Sequence, residues 1–108
     1  MKYPVLLTRD AGHDLEDIYD YVSDKDSPQK ADALLDRLHE AIAALSRFPE
    51  RGACPHELQE IGIREFRQTF LKPYRIVYRI LDKQVFVFLI ADGRRDMQTL
   101  LMRRLLGG

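Results

Sequence analysis

The chain has 108 residues, 45% hydrophobic and 31% charged, an ordinary globular composition with enough apolar side chains for a single domain spanning 1–108. No apolar run reaches the roughly 18 residues of a membrane helix, and MKYPVLLTRD has no small-residue cleavage site. The lone Cys54 excludes an intrachain disulfide and a thiolate metal cluster, so the expectation is a cytoplasmic protein with no cofactor and no metal.

KYPVLLT, Lys2 to Thr8, reads as a short first strand, and Pro4 argues for an edge position or an early break in its pairing. Thr8 is the capping hydroxyl of a helix in which Ala11, Leu15, Ile18, Tyr19 and Val22 recur at spacings of three and four, with Asp14, Glu16, Asp17 and Asp20 on the other faces. SDKDSP interrupts it. Ser27 before Pro28 is a second start signal, and the next helix runs from Pro28 to Leu45 or Arg47 on the stripe Ala31, Leu34, Leu35, Leu38, Ile42 and Leu45. Two one-faced helices joined by a short polar link predict an antiparallel hairpin packed on something flat.

ERGACPHELQE is a connector whose Gly and Pro forbid a long regular element, with Leu58 and Ile61 expected to turn inward. Strands begin at Ile63. IREFRQTFL puts Phe66 and Phe70 on one face, Lys72-Pro73 turns the chain, and Tyr74, Ile76, Tyr78 and Ile80 then face away from Arg75, Val77, Arg79 and Leu81. Asp82-Lys83 is a tight reversal. QVFVFLIA is apolar on both faces and is expected to be the central strand. MQTLLMRRLL, after Gly93 and with Asp96 as cap, predicts a last short helix. The fold class is α+β, in the order β-α-α-β-β-β, with the helical hairpin on one face of a mostly antiparallel sheet.

The charges are not mixed along this order. Residues 10–40 hold ten acids and three bases, whereas residues 64–108 hold ten bases and four acids. The hairpin is therefore acidic and the sheet half basic. Arg67, Arg75 and Arg79 lie on the strands, and Arg94 and Arg95 end the central one. Three readings stay open: a solvated edge paired with Asp92 or Asp96, a face for an anion or nucleic acid, and a charge-guided protein interface.

Taken in order, Ala11 with DLEDIYDYV (14–22), AIAALSRFPERG (41–52), GIREFRQ and KPYRIVYRI (62–80) and LIADGRRDMQTLLMRRLL (89–106) resemble the RelE/ParE superfamily of bacterial type II toxins. The resemblance covers nearly the whole chain. It implies a helical hairpin on a mostly antiparallel sheet, and one of two activities. RelE-like toxins cut messenger RNA in the ribosomal A site; ParE-like toxins poison DNA gyrase. Cutting RNA through its 2′-hydroxyl needs a base, cations around the phosphorane and a proton for the leaving oxygen. Arg75 and Arg95 match arginines of that site, and Arg67 and His56 would complete a ribonuclease set. Leu101, however, falls where the RNA-cutting toxins carry tyrosine, and hydrocarbon transfers no proton. His13 and His39 belong to the acidic hairpin, His56 stands beside Glu57 in the connector, and no metal-ligand spacing or phosphate loop occurs.

The resemblance therefore implies the ParE-like branch, with gyrase as the target and Arg67, Arg75, Arg79, Arg94 and Arg95 shaping the surface that meets it. The ribosome with its mRNA is the alternative target, and a non-catalytic binding module a further alternative. It also implies a cognate antitoxin with an acidic tail, for which Leu100, Leu101, Leu105 and Leu106 are the candidate surface. The antitoxin would supply the DNA contacts of the complex; no direct DNA binding by this chain alone and no membrane partner is expected.

Overall fold

The computed structural model describes residues 2–107. The order is β1 (Val5–Leu7), α1 (Arg9–Lys25), α2 (Pro28–Ala44), α3 (His56–Gln59), β2 (Phe66–Leu71), β3 (Tyr74–Leu81), β4 (Gln84–Asp92) and α4 (Met97–Leu106). The strands form one sheet in the order β1-β4-β3-β2, with β1 parallel to β4 and the other pairs antiparallel. The expected α+β architecture and the interior position of QVFVFLIA are both observed. Val85, Val87, Leu89, Ile90 and Ala91 of that strand are all buried.

The start signals act as read. Thr8 accepts the Ala11 N–H, Ser27 accepts the Lys30 N–H, and Asp96 accepts the Thr99 N–H. Each satisfies one orphan donor of a first helical turn. α2 ends at Ala44, with Leu45 as its cap. The connector supports only the four-residue α3, whose Leu58 is buried whereas Ile61 is 45% exposed. Asp82 and Lys83 both adopt left-handed φ, 49° and 61°, the two-residue hairpin geometry that follows the twist of the strands.

Two cores flank the sheet. On one face α1 and α2 pack Ala11, Leu15, Leu38, Ile42 and Leu45 on Ile76, Tyr78, Val85, Val87 and Ile90. On the other, α3 and α4 bring Leu58, Met97 and Leu101 onto Phe66, Val77, Leu89 and Ala91. Burying one such aliphatic side chain stabilises the fold by roughly 1.5–3 kcal/mol before entropy is counted. Phe70 shares the Phe66 face but lies outside that core and is 59% exposed. The acidic hairpin and the basic sheet half thus lie in different layers.

The pairing of β3 with β4 slips once. Val77 faces Leu89 while Tyr78 faces Val87, so Phe88 is an extra residue and β4 carries a bulge. Beyond Val87, whose carbonyl accepts from Thr8 N–H, β1 no longer covers the strand. Side chains take over there. Asp14 Oδ2 accepts the Ile90 N–H at 2.9 Å, and Arg104 Nη1 donates to the Phe88 carbonyl at 2.8 Å. Arg104 also donates to both oxygens of Asp14, at 2.8 and 3.0 Å.

Candidate functional site

The arginines of the sheet are mostly spoken for. Arg75 presents its fork to Glu57 of α3, with both bonds at 2.9 Å, and Nη1 also reaches Gln68 Oε1 at 3.2 Å. That bidentate pair is four-fifths buried and holds the Glu57 carboxyl below its usual range, the arginine's hydrogen bonds being the main cause. The aliphatic stem of Arg75 lies against Gly93, where an added Cβ would stand 3.1 Å from Cγ. Arg67 Nη1 donates to the carbonyls of Glu50 and Gly52, at 2.9 and 2.7 Å. Arg79 sits over the Phe66 ring at 5.7 Å.

The same connector is laced from the other core. The Tyr78 hydroxyl donates to the Pro49 carbonyl at 2.8 Å and accepts the Gly52 N–H at 3.1 Å. Its phenol is buried and its pKa raised by that burial. Gly52 must be glycine here, since a Cβ would fall 2.3 Å from the Gln68 carbonyl oxygen. The FPERG segment is thereby tied to β2 and β3, and Ala53 bridges to Gln68 at the outer edge of β2.

Arg94 and Arg95 are placed differently. Both are exposed and line a cleft of about 510 Å³ between α1 and the end of β4, with Asp17, Ile18, Tyr21, Tyr74, Ile90, Ala91 and Asp92. Arg94 Nη2 donates to Asp92 Oδ2 at 2.6 Å, and Arg94 Nε donates to Asp92 Oδ1 at 3.0 Å. The side chain and backbone N–H of Arg94 hold Asp92 down to about 2. The Tyr74 phenol is pushed up, first by burial and then by Asp92, so it stays protonated and offers a donor rather than a base. Arg75 is not among the residues of this cleft. A second groove of about 570 Å³ runs along the hairpin, between Arg9, His13, Glu16, Tyr19 and Asp20 on α1 and Leu35 and His39 on α2.

The other expected site residues fall as follows. His56 is largely exposed and pairs with Glu60 one turn on, at 2.7 Å. Leu101 is fully buried, Leu100 and Leu105 are half-buried, and Leu106 is 48% exposed. No group of three His, Cys, Asp or Glu among the described residues is placed to hold a metal ion. Sequence reasoning missed Glu57 as the partner of Arg75, and Asp14 with Arg104 as a pair. A carboxylate on the inner edge of an otherwise acidic helix gave no local signal, and 90 positions separate it from its arginine.

Comparison with known proteins bears on the whole of this arrangement. Residues 5–97 match the family described as the ParE toxin of the type II toxin–antitoxin system parDE. The chain is 30% identical over 93 residues to Toxin ParE3 of Caulobacter vibrioides, covering 86% of this chain and 89% of that protein. Among solved structures it is similar to a chain of the chromosomal ParDE toxin–antitoxin system from P. aeruginosa. The TM-score is 0.71 at 22% identity, over 84% of this chain and 96% of that one. It is also similar to a chain of the RelBE2 toxin–antitoxin complex from Mycobacterium tuberculosis. There the TM-score is 0.57 at 24% identity, over 85% and 92% of the two chains. At these identities the two structures speak to the fold alone.

Proposed function

Because this chain belongs to the ParE toxin family of type II toxin–antitoxin systems, we propose that it acts in the cytoplasm by inhibiting DNA gyrase, as one toxin domain over residues 1–108. The observation that carries the choice of target is Leu101. It occupies the position at which the chain's RNA-cutting look-alikes carry a proton-transferring tyrosine, and it lies wholly inside the second core. The disposition of the arginines agrees. Arg67 and Arg75 turn inward to carbonyls and to Glu57, which leaves Arg79, Arg94 and Arg95 as the cations that meet the target. Their role is docking: exposed Arg94 and Arg95, with half-buried Arg79, steer and orient an acidic partner without entering a bond-breaking step.

A cognate antitoxin silences the chain in this reading. Its acidic segment covers the outer side of α4, where Leu106 is exposed beside half-buried Leu100 and Leu105, while Leu101 supports that helix from within. A second reading, ribosome-dependent cleavage of mRNA, has one observation in its favour: Tyr74 and Arg95 line the same cleft.

The test is a supercoiling assay with purified gyrase, read for linear DNA, beside primer extension on ribosome-bound message. Double-strand breaks that disappear in Arg94→Glu/Arg95→Glu support gyrase as the target. Cuts at A-site codons, with gyrase unaffected, move the assignment to RNA.

A further inference from the structure

A guanidinium fork on the face of a sheet is an oxyanion receptor, and a carboxylate and a phosphoryl group satisfy it with the same two parallel N–H···O bonds. In this chain the receptor is built and filled from within. Gly93 fixes the stem of Arg75 by close approach, and Gln68 accepts from its Nη1. The Glu57 carboxylate takes both terminal nitrogens at 2.9 Å, with about one fifth of each side chain exposed. Glu57 comes from a turn of helix that is itself pinned down. Leu58 is 1% exposed in the core beneath, and Gly62 at φ 81° closes the turn while Ile63 N–H bonds back to the Leu58 carbonyl.

We propose that Glu57 is an internal anion that masks an oxyanion-binding site at Arg75 and Gln68, and so decides that this face of the sheet does not take phosphoryl groups. The class of ligand excluded is a phosphate mono- or diester, free or in a nucleic-acid backbone. The mask is effective because a ligand must displace a covalently tethered carboxylate whose local concentration no dissolved phosphate matches. The inference does not depend on gyrase being the target, so a failed gyrase assay leaves it standing, whereas mRNA cleavage by the unmodified chain that is lost in Arg75→Gln overturns it.

The test uses the full chain, with inorganic pyrophosphate as the probe. In Glu57→Gln the carboxylate is lost and its shape retained, and pyrophosphate binds at least about tenfold tighter than to the parent. The gain disappears in Glu57→Gln/Arg75→Gln. Equal affinity of parent and Glu57→Gln overturns the proposal, as does a gain that survives loss of Arg75. The Nε–H resonance of Arg75 in the unmodified chain gives a reading that needs no variant. It stays unmoved at pyrophosphate concentrations that shift Arg95, whereas a shift of Arg75 under the same titration refutes the mask.

Discussion

The clasp between Asp14 and Arg104 gives the sharpest prediction about stability. Arg104→Met removes two charge-assisted bonds to Asp14 and one to the Phe88 carbonyl while keeping most of the aliphatic stem. Breaking a buried pair by removing one partner costs about 3–5 kcal/mol. Here the Asp14 and Arg104 side chains are 14% and 20% exposed, and water reaching the orphaned carboxylate lowers the expected loss to roughly 2–3 kcal/mol. Asp14→Ala loses about as much by a different route, since it strands the Arg104 cation and also the Ile90 N–H. The double variant removes both charges together, so a urea double-mutant cycle is expected to show a coupling of about 1.5–2 kcal/mol. Amide exchange adds a residue-specific mark. The Ile90 amide in Asp14→Ala accelerates beyond the change in global stability, whereas in Arg104→Met it keeps its acceptor. A coupling under about 0.5 kcal/mol, or an Ile90 amide that follows its neighbours in Asp14→Ala, would show that the bulge is held by something else.

Three further outcomes are expected. Gly52→Ala drives a Cβ to 2.3 Å from the Gln68 carbonyl oxygen and 2.7 Å from the Tyr78 hydroxyl. It is expected to cost more than about 3 kcal/mol, against about 1–2 kcal/mol for Tyr78→Phe, which only deletes the bonds to Pro49 and Gly52; chemical denaturation ranks the two, and the reverse order is fatal to the lacing argument. Asp82→Asn/Lys83→Gly relieves two left-handed residues and raises stability by about 1 kcal/mol, measurable as a higher Tm; a lower Tm contradicts it. Folded Asp92 takes up its proton only at about 2, below its unfolded value, so the unfolded chain holds more protons in that interval and stability falls as the pH drops from about 4 to 2. Asp92→Asn should flatten that stretch of an acid titration by roughly 1 kcal/mol, a figure reduced because Arg94 is largely in solvent.

What could be read from the sequence was what repeats over short distances. Thr8, Ser27 and Asp96 announce helix starts because a cap is a bond between residues three apart. The interior place of β4 followed from its lack of a polar face. The partners of the arginines were hidden for the opposite reason. Arg75 could be placed on a face of β3, yet nothing local told that Glu57, 18 residues earlier, would return to it. Leu101 and Leu106 look alike in the apolar stripe, and only the packing of α4 sends one inward and leaves the other in water. The bulge at Phe88 was equally silent, since a run that is apolar on both faces gives no alternation for an extra residue to interrupt.

The parallel pairing of Val5–Leu7 with Val85–Val87 has a consequence for the time course of synthesis. β1 is translated before the other strands and waits, without a mate, until Gln84–Asp92 has been decoded. Only the β2–β3 ribbon and the two-helix unit can assemble in the interval, since both join neighbours in the chain. Closure across some eighty residues carries a large loop entropy and makes the last assembly step the slow one. Until β4 arrives, the greasy side of the hairpin has only Ile76 and Tyr78 of the ribbon to lie on and lacks Val85, Val87 and Ile90, and the half-made polypeptide is a client for chaperones.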